Sequence, residues 1–166
     1  VEQTNAPNAF SYYSKLNKLA LDTIDVLRMD IHDWHLQRGV SIALDLAKLK
    51  ERVGQVRGKI NNLLAKGVVT EGAKIEISGY LTDINLLQRY LINLMHEQMA
   101  SELTQIINSP DSQRIEQIYS QILSSEGDLD TSALPASAEW FSMATNQIVK
   151  IKTILDKSWQ EVCCFC

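Results

Sequence analysis

The feature that most constrains this chain is a long row of apolar residues spaced alternately by four and by three positions. Its members are Ile42, Leu46, Leu49, Val53, Val56, Ile60 and Leu63. This spacing places every member on one face of an α-helix, whereas a half-buried strand would alternate by two. The row therefore predicts a long helix that packs its apolar face against other helices.

The same spacing recurs in three other segments. The third helix carries Tyr80, Ile84, Leu87, Leu91 and Leu94, and the last carries Phe141, Ala144, Ile148, Ile151 and Leu155. A looser version predicts the first helix from residue 10 to about residue 31, with Leu16, Ala20, Thr23, Leu27, Ile31 and Trp34. Breaker residues at 66–72, 109–111 and 125–137 separate the segments. We expect an all-α fold, an antiparallel four-helix bundle with one extra short helix after Pro110.

The domain organisation follows from length and cysteine placement. At 166 residues the chain has the length of one domain. We expect a lead-in over residues 1–9, a single bundle domain over 10–162 and a cysteine-rich tail over 163–166. The three cysteines lie in the last four positions, so none can cross-link the interior. The tail is compatible with a membrane-proximal edge, a lipidation site, an interchain disulfide or a disordered end.

Charge and hydropathy narrow the set of partners. The net charge of −4 gives no basic surplus for a nucleic-acid backbone, so we expect no nucleic-acid partner. The sequence contains no apolar run of about eighteen residues, so we expect neither a spanning helix nor a signal peptide within it. We expect any adjoining transmembrane segments to lie outside this sequence.

The acid-and-histidine segment Asp30-Ile31-His32-Asp33-Trp34-His35 invites a metal-site interpretation. A four-helix di-metal site needs Glu-x-x-His on two helices, and this chain has no such motif. We therefore predict a helix end or loop there, with no metal and no cofactor. Since a nucleophile elbow and a glycine-rich phosphate loop are also lacking, we expect no enzymatic activity.

A polar stripe lies beside the apolar row in the segment KERVGQVRGKINNLLAKG. Lys50, Gly54, Arg57 and Asn61 fall within about 60° of one another on a helix. Two cations and an amide around a residue without Cβ could hold a small planar anion on the fork of Arg57. The alternative is a pair of solvated cations, with Gly54 and Gly58 allowing close helix contact.

Two motifs resemble those of the nitrate- and nitrite-sensing (NIT) domain family. Lys50-Glu51, Gly54 and Arg57 look like its KE-x-x-G-x-x-R motif, and Trp140-Phe141 with Thr145 look like its W-F-x-x-x-T helix. Order and spacing agree from about residue 10 to 157. The resemblance is to the second, C-terminal half of a domain that comprises two bundles.

The resemblance implies roles for these residues. Arg57 would contact the anion, with Lys50, Glu51 and Gly54 as motif neighbours and Trp140, Phe141 and Thr145 on the facing helix. Together with the stripe, this gives Lys50, Gly54, Asn61 and Thr145 as further ligand-binding candidates, and Gly58, Trp140 and Phe141 in helix packing. Arg38, within Gln37-Arg38-Gly39-Val40-Ser41, is similar to an ERG-x-S element of the family's first half and is a weaker ligand-binding candidate. Where the family can offer a second arginine, this chain has Tyr119, and its nearest cation is Arg114.

The function implied is that of a sensory module in a bacterial signal-transduction receptor. It would bind a small anion such as nitrate or nitrite and transmit the signal by rearranging helices or subunits. We expect a homodimer on the extracytoplasmic (periplasmic) side of the inner membrane, with the cytoplasm as the alternative. The competing interpretation is a helical interaction or dimerisation module without a small-molecule ligand.

Overall fold

The computed structural model describes residues 6–125 and 134–164, with side chains from residue 11 onward. These ranges contain six α-helices and no strand: α1 (Ala6–Leu27), α2 (Trp34–Lys66), α3 (Glu71–Leu94), α4 (Glu97–Ile107), α5 (Pro110–Ser124) and α6 (Ser137–Cys164). A 3-10 turn, Arg28–Asp30, joins α1 to α2. The all-α bundle prediction is confirmed.

Helix α2 is the centre of the bundle and contacts α6, α3 and α1. Its predicted apolar row is buried, and Leu46, Leu49, Val56 and Ile60 are fully inaccessible. Helix α6 runs antiparallel to α2, because Arg57 meets Thr145 near one end while Gly39 meets Val162 near the other.

The ends of α2 follow local sequence chemistry. The Asp33 carboxylate accepts a hydrogen bond from the Leu36 amide at 2.9 Å, so this member of the acid-and-histidine segment caps the helix. The helix stops at Gly67, whose φ of 68° suits a residue without Cβ. The segment that invited a metal interpretation thus starts a helix.

The third predicted helix is interrupted, which the apolar spacing did not indicate. Helix α3 stops at Leu94, Met95 and His96 adopt extended backbone angles, and α4 starts at Glu97. Met95 is buried in the core, and Arg38 Nη2 donates to the Leu94 carbonyl oxygen at 2.6 Å. Core packing and this bond stabilise a break that contains neither glycine nor proline.

The break between α4 and α5 lies at Ser109 and Pro110, as the sequence predicted. The Ser109 side chain caps α5 and Pro110 occupies its first turn. The buried Ser112 hydroxyl donates to the Ile106 carbonyl oxygen at 2.7 Å and accepts from Gln147 Nε2 at 3.0 Å. The bond from Gln147 connects the α4–α5 corner to α6.

Helix α1 lies at the edge of the bundle, where α2 is its main helical neighbour. It begins at Ala6, ahead of the predicted residue 10. Asn17 Nδ2 donates to Glu51 Oε2 at 2.9 Å, and Lys48 Nζ pairs with Asp25 Oδ2 at 2.9 Å. Polar contacts therefore contribute much of its attachment.

The far end of α6 carries part of the cysteine-rich tail. Cys163 and Cys164 are exposed free thiols in its last turn, and Cys166 lies outside the described residues. Within residues 6–125 and 134–164, no helix is both long enough and apolar enough to cross a membrane.

Candidate functional site

Arg57 lies on α2 where this helix faces the first turns of α6. Its half-buried guanidinium donates from Nη1 to Thr145 Oγ1 at 2.9 Å. The guanidinium carbon lies 4.3 Å from the centroid of the Phe141 ring, within the range of a cation–π contact. The hydroxyl of Thr145 in turn donates to the Phe141 carbonyl oxygen at 2.6 Å. Two consecutive turns of α6 thus hold the arginine.

Trp140 fixes the main chain of the same residue. Its indole Nε1 donates to the Arg57 carbonyl oxygen at 3.0 Å, and the side chain is fully buried. The Tyr119 ring of α5 meets Trp140 edge-on, with centroids 6.0 Å apart. The side chain and the backbone of Arg57 both contact α6. Any movement of the arginine would therefore change these contacts with α6.

The Arg57 charge is poorly compensated. Among residues 6–125 and 134–164, no carboxylate forms an ion pair with it. Its Nε atom is buried without a hydrogen-bond partner, the one such side-chain nitrogen or oxygen in these ranges. Burial lowers the pKa of Arg57 because desolvation disfavours the charged form. An unsatisfied donor on a desolvated cation is the electrostatic complement of an anion.

The other members of the polar stripe, all within the described part of α2, share the helix with Arg57 but form no hydrogen bond with its guanidinium. Lys50 lies about 10 Å along the axis, at 1.5 Å per residue, and both Lys50 and Asn61 are half-buried. A Cβ added to Gly54 would meet nothing within 4 Å, so close helix contact does not explain this glycine. Gly58 follows Arg57 directly and is half-buried.

Two predicted residues lie elsewhere. Glu51 accepts from Asn17 of α1 and from Gln55, at 2.9 and 3.2 Å, and so faces away from α6. Arg38 is about 28 Å along α2 from Arg57 and binds the end of α3. The structure therefore brings Arg57, Phe141, Trp140 and Thr145 together and leaves Glu51 and Arg38 outside.

A groove of about 700 Å³ lies between α1, α2 and α3, on the side of Glu51. It does not include Arg57. The cations that α2 contributes to it are already paired with carboxylates, at 2.7–2.9 Å: Lys48 with Asp25, Arg52 with Asp83 and Lys59 with Glu76. Of the two lysines that α1 contributes, Lys18 pairs with Asp22 and Lys15 is exposed to solvent. The groove therefore holds no desolvated, uncompensated cation like Arg57, and it is the weaker candidate for an anion site.

No second cation joins Arg57 from α5. Burial, with a smaller contribution from Glu116, raises the pKa of Tyr119, which therefore stays a neutral phenol. Arg114 lies 3.7 Å from Glu139, and both side chains are exposed.

The sequence predicted the main residues of this site: Arg57, Thr145 and the aromatic pair Trp140 and Phe141. It missed the bond from Trp140 to the Arg57 backbone, since a backbone acceptor leaves no sequence signal.

These features define a class: an all-helical bundle with a candidate anion-binding arginine at the contact between its central and last helices. The family model for nitrate and nitrite sensing (NIT) matches residues 1–162, and the chain belongs to this family. Comparisons with curated proteins and with solved structures gave no match.

Proposed function

We propose that this bundle is a non-enzymatic sensor that binds a small planar monoanion, nitrate or nitrite, at Arg57. The observation that carries the proposal is the buried Arg57 Nε without a partner, on a cation without a carboxylate among the described residues. Nitrate and nitrite are planar and accept two parallel hydrogen bonds from a guanidinium edge. Membership of a nitrate- and nitrite-sensing family supports the same ligand class.

Binding would be coupled to helix movement. Nε is buried in this arrangement, and the Phe141 ring lies over the guanidinium. We infer that the Arg57–Phe141 contact opens to admit the anion. Opening it would change how α6 lies on α2, since Thr145 and Trp140 bind the same arginine. A ligand that binds the open arrangement better shifts the population toward it, which is how the signal would leave the site.

Calorimetric titration of nitrate and nitrite tests the proposal. We expect binding to the unmutated chain and a roughly tenfold to hundredfold weaker affinity for Arg57→Met, which keeps an unbranched apolar stem but loses the donors. Arg89→Gln is the matched control, because Arg89 is an exposed arginine of α3 outside the site. It removes one positive charge and should leave the affinity unchanged.

Sulfate and chloride at equal ionic strength separate a specific site from general screening. If the unmutated chain gives neither heat nor a melting shift with nitrate and nitrite, the sensor assignment fails. The alternative, a helical interaction module without a small-molecule ligand, would then stand. The exposed apolar face of α1 is the observation that favours it.

We propose further that the bundle is the extracytoplasmic part of an inner-membrane receptor, with the cytoplasm as the alternative. The support is the receptor context that the family resemblance implies. The coding sequence on either side tests it, because flanking apolar segments of about twenty residues would provide the membrane anchor.

A further inference from the structure

The side of α1 that faces away from the bundle carries an apolar row of its own. We call it the α1 outer row: Tyr12, Leu16, Leu19, Thr23 and Val26, spaced alternately by four and three. All five side chains are exposed, with Leu16 at 48 %, Leu19 at 64 % and Val26 at 66 %. Leu21 and Ile24, on the opposite side of α1, are half-buried instead.

This spacing is that of the a and d positions of a coiled coil, which need a second helix to cover them. Tyr13, Ala20 and Leu27 widen the apolar surface along one edge, and all three are exposed. Scattered apolar residues on a surface are ordinary, but a continuous row at heptad spacing is a helix-pairing surface.

The charges beside the row select the partner. The other edge carries Lys15 and Asp22, one heptad apart and opposite in sign. Among the described residues Lys15 forms no ion pair, while Asp22 pairs only with Lys18 of its own helix, where both groups are exposed. A surface with one cation and one anion at equivalent edge positions is self-complementary under a two-fold axis.

We propose that α1 pairs with α1 of a second copy of this chain in an antiparallel two-helix contact. In the register that aligns the rows, Leu16 packs against Leu19 of the partner subunit and Tyr12 against Thr23 of the partner subunit. Lys15 then lies opposite Asp22 of the partner subunit, and the two-fold axis repeats each pair. A parallel pair would set Lys15 against an alanine and Asp22 against a leucine, so the charges favour the antiparallel arrangement.

Sedimentation equilibrium of the chain provides the test. The unmutated chain should form dimers, and Leu16→Glu or Leu19→Glu should give monomers, because each places a charge in the centre of the contact. Ile75→Glu is the matched control: Ile75 is 68 % exposed on α3, outside the row, so the dimer should persist. Circular dichroism confirms that each variant keeps its helicity, as expected for changes at exposed positions.

Charge reversal distinguishes the antiparallel register from other contacts. Lys15→Asp alone and Asp22→Lys alone should weaken the dimer, since each creates two like-charge pairs. The double variant Lys15→Asp/Asp22→Lys should restore it, because opposite charges again face each other. Failure of the double variant to restore the dimer overturns the register.

An unmutated chain that stays monomeric up to about 1 mM overturns the proposal altogether. So does a dimer that persists in Leu16→Glu and Leu19→Glu.

Discussion

At the scale of single residues, Arg57 is the side chain that bundle stability explains least. A desolvated guanidinium with an unsatisfied Nε destabilises a folded chain, whereas an apolar side chain of similar length would pack against Phe141 without that cost. The hydrogen bond to Thr145 and the aromatic contact offset only part of it. This cost supports the proposed anion site at Arg57.

Two glycines of α2 look alike in sequence and differ in surroundings. A Cβ at Gly39 would lie 3.0 Å from Val162 Cγ2, whereas one at Gly54 would meet nothing within 4 Å. We predict that Gly39→Ala lowers the free energy of unfolding by up to about 2 kcal/mol, because overpacking against Val162 outweighs the gain in helix propensity. Gly54→Ala should raise it by up to about 1 kcal/mol, because alanine is the better helix former.

Urea denaturation of the two variants measures both shifts, and each serves as the other's control. A destabilised Gly54→Ala chain would contradict the open surroundings of Gly54. Helical projection placed Gly54 on the polar stripe, whereas Gly39 lies ahead of the apolar row that predicted the helix. The sequence could not show the close contact at Gly39, because Val162 lies 123 positions away on another helix.

At the scale of elements, the attachment of α1 should depend on pH. The hydrogen bond from Lys48, followed by that from Arg28, holds the pKa of Asp25 below its usual value in spite of some desolvation. A lowered folded-state pKa means that the stabilisation is complete above the unfolded value near 4 and is lost as pH falls through the folded value. We expect α1 to loosen in acid before the core does, by less than about 1 kcal/mol because both partners are partly exposed.

Amide hydrogen exchange between pH 7 and pH 3 checks this prediction. Protection in α1 should fall in acid, while amides around the fully buried Leu49 of α2 stay protected. In Lys48→Met, the pKa of Asp25 moves toward its usual value, so α1 should be less protected at pH 7 and should change less on acidification. Constant α1 protection across this range would show that these ion pairs do not hold the helix.

Apolar spacing predicted some of the helices correctly and missed other features of the fold. It placed α2, α3 and α6 because the residues it marks there are largely buried, and Ser109-Pro110 marked the start of α5. It missed the break at Met95 and His96, which depends on a bond from distant Arg38 and on burial of Met95. The row that it predicted for the first helix, from Leu16 to Trp34, lies largely on the surface. Spacing shows that one face of a helix is apolar, but it does not show which part of the protein covers that face.

At the scale of the whole molecule, α2 separates two surfaces with different chemistry. One side of α2 meets α6 at Arg57, and the other meets α1 and the groove whose α2 cations are neutralised. An anion at Arg57 and a second copy on α1 would therefore bind without sharing a residue. Loss of the proposed dimer should leave the anion site intact, so the two proposals can fail independently.

Trp140 provides an internal probe for the proposed movement of α6. The chain has three tryptophans, and Trp140 is the one that is fully buried and bonded to Arg57. In the Trp34→Phe/Trp159→Phe background, we predict that nitrate shifts the Trp140 emission maximum to longer wavelength. Opening the Arg57–Phe141 contact would admit water and lengthen the bond to the Arg57 carbonyl oxygen.

The same titration in the Arg57→Met variant separates this shift from direct quenching by nitrate, which acts on intensity in both chains. A chain that keeps only Trp34, exposed at the start of α2, should keep its emission maximum. If calorimetry shows binding at Arg57 while the Trp140 maximum stays fixed, then the anion binds without moving the start of α6. The signal would then have to be transmitted through α2, the helix that carries Arg57.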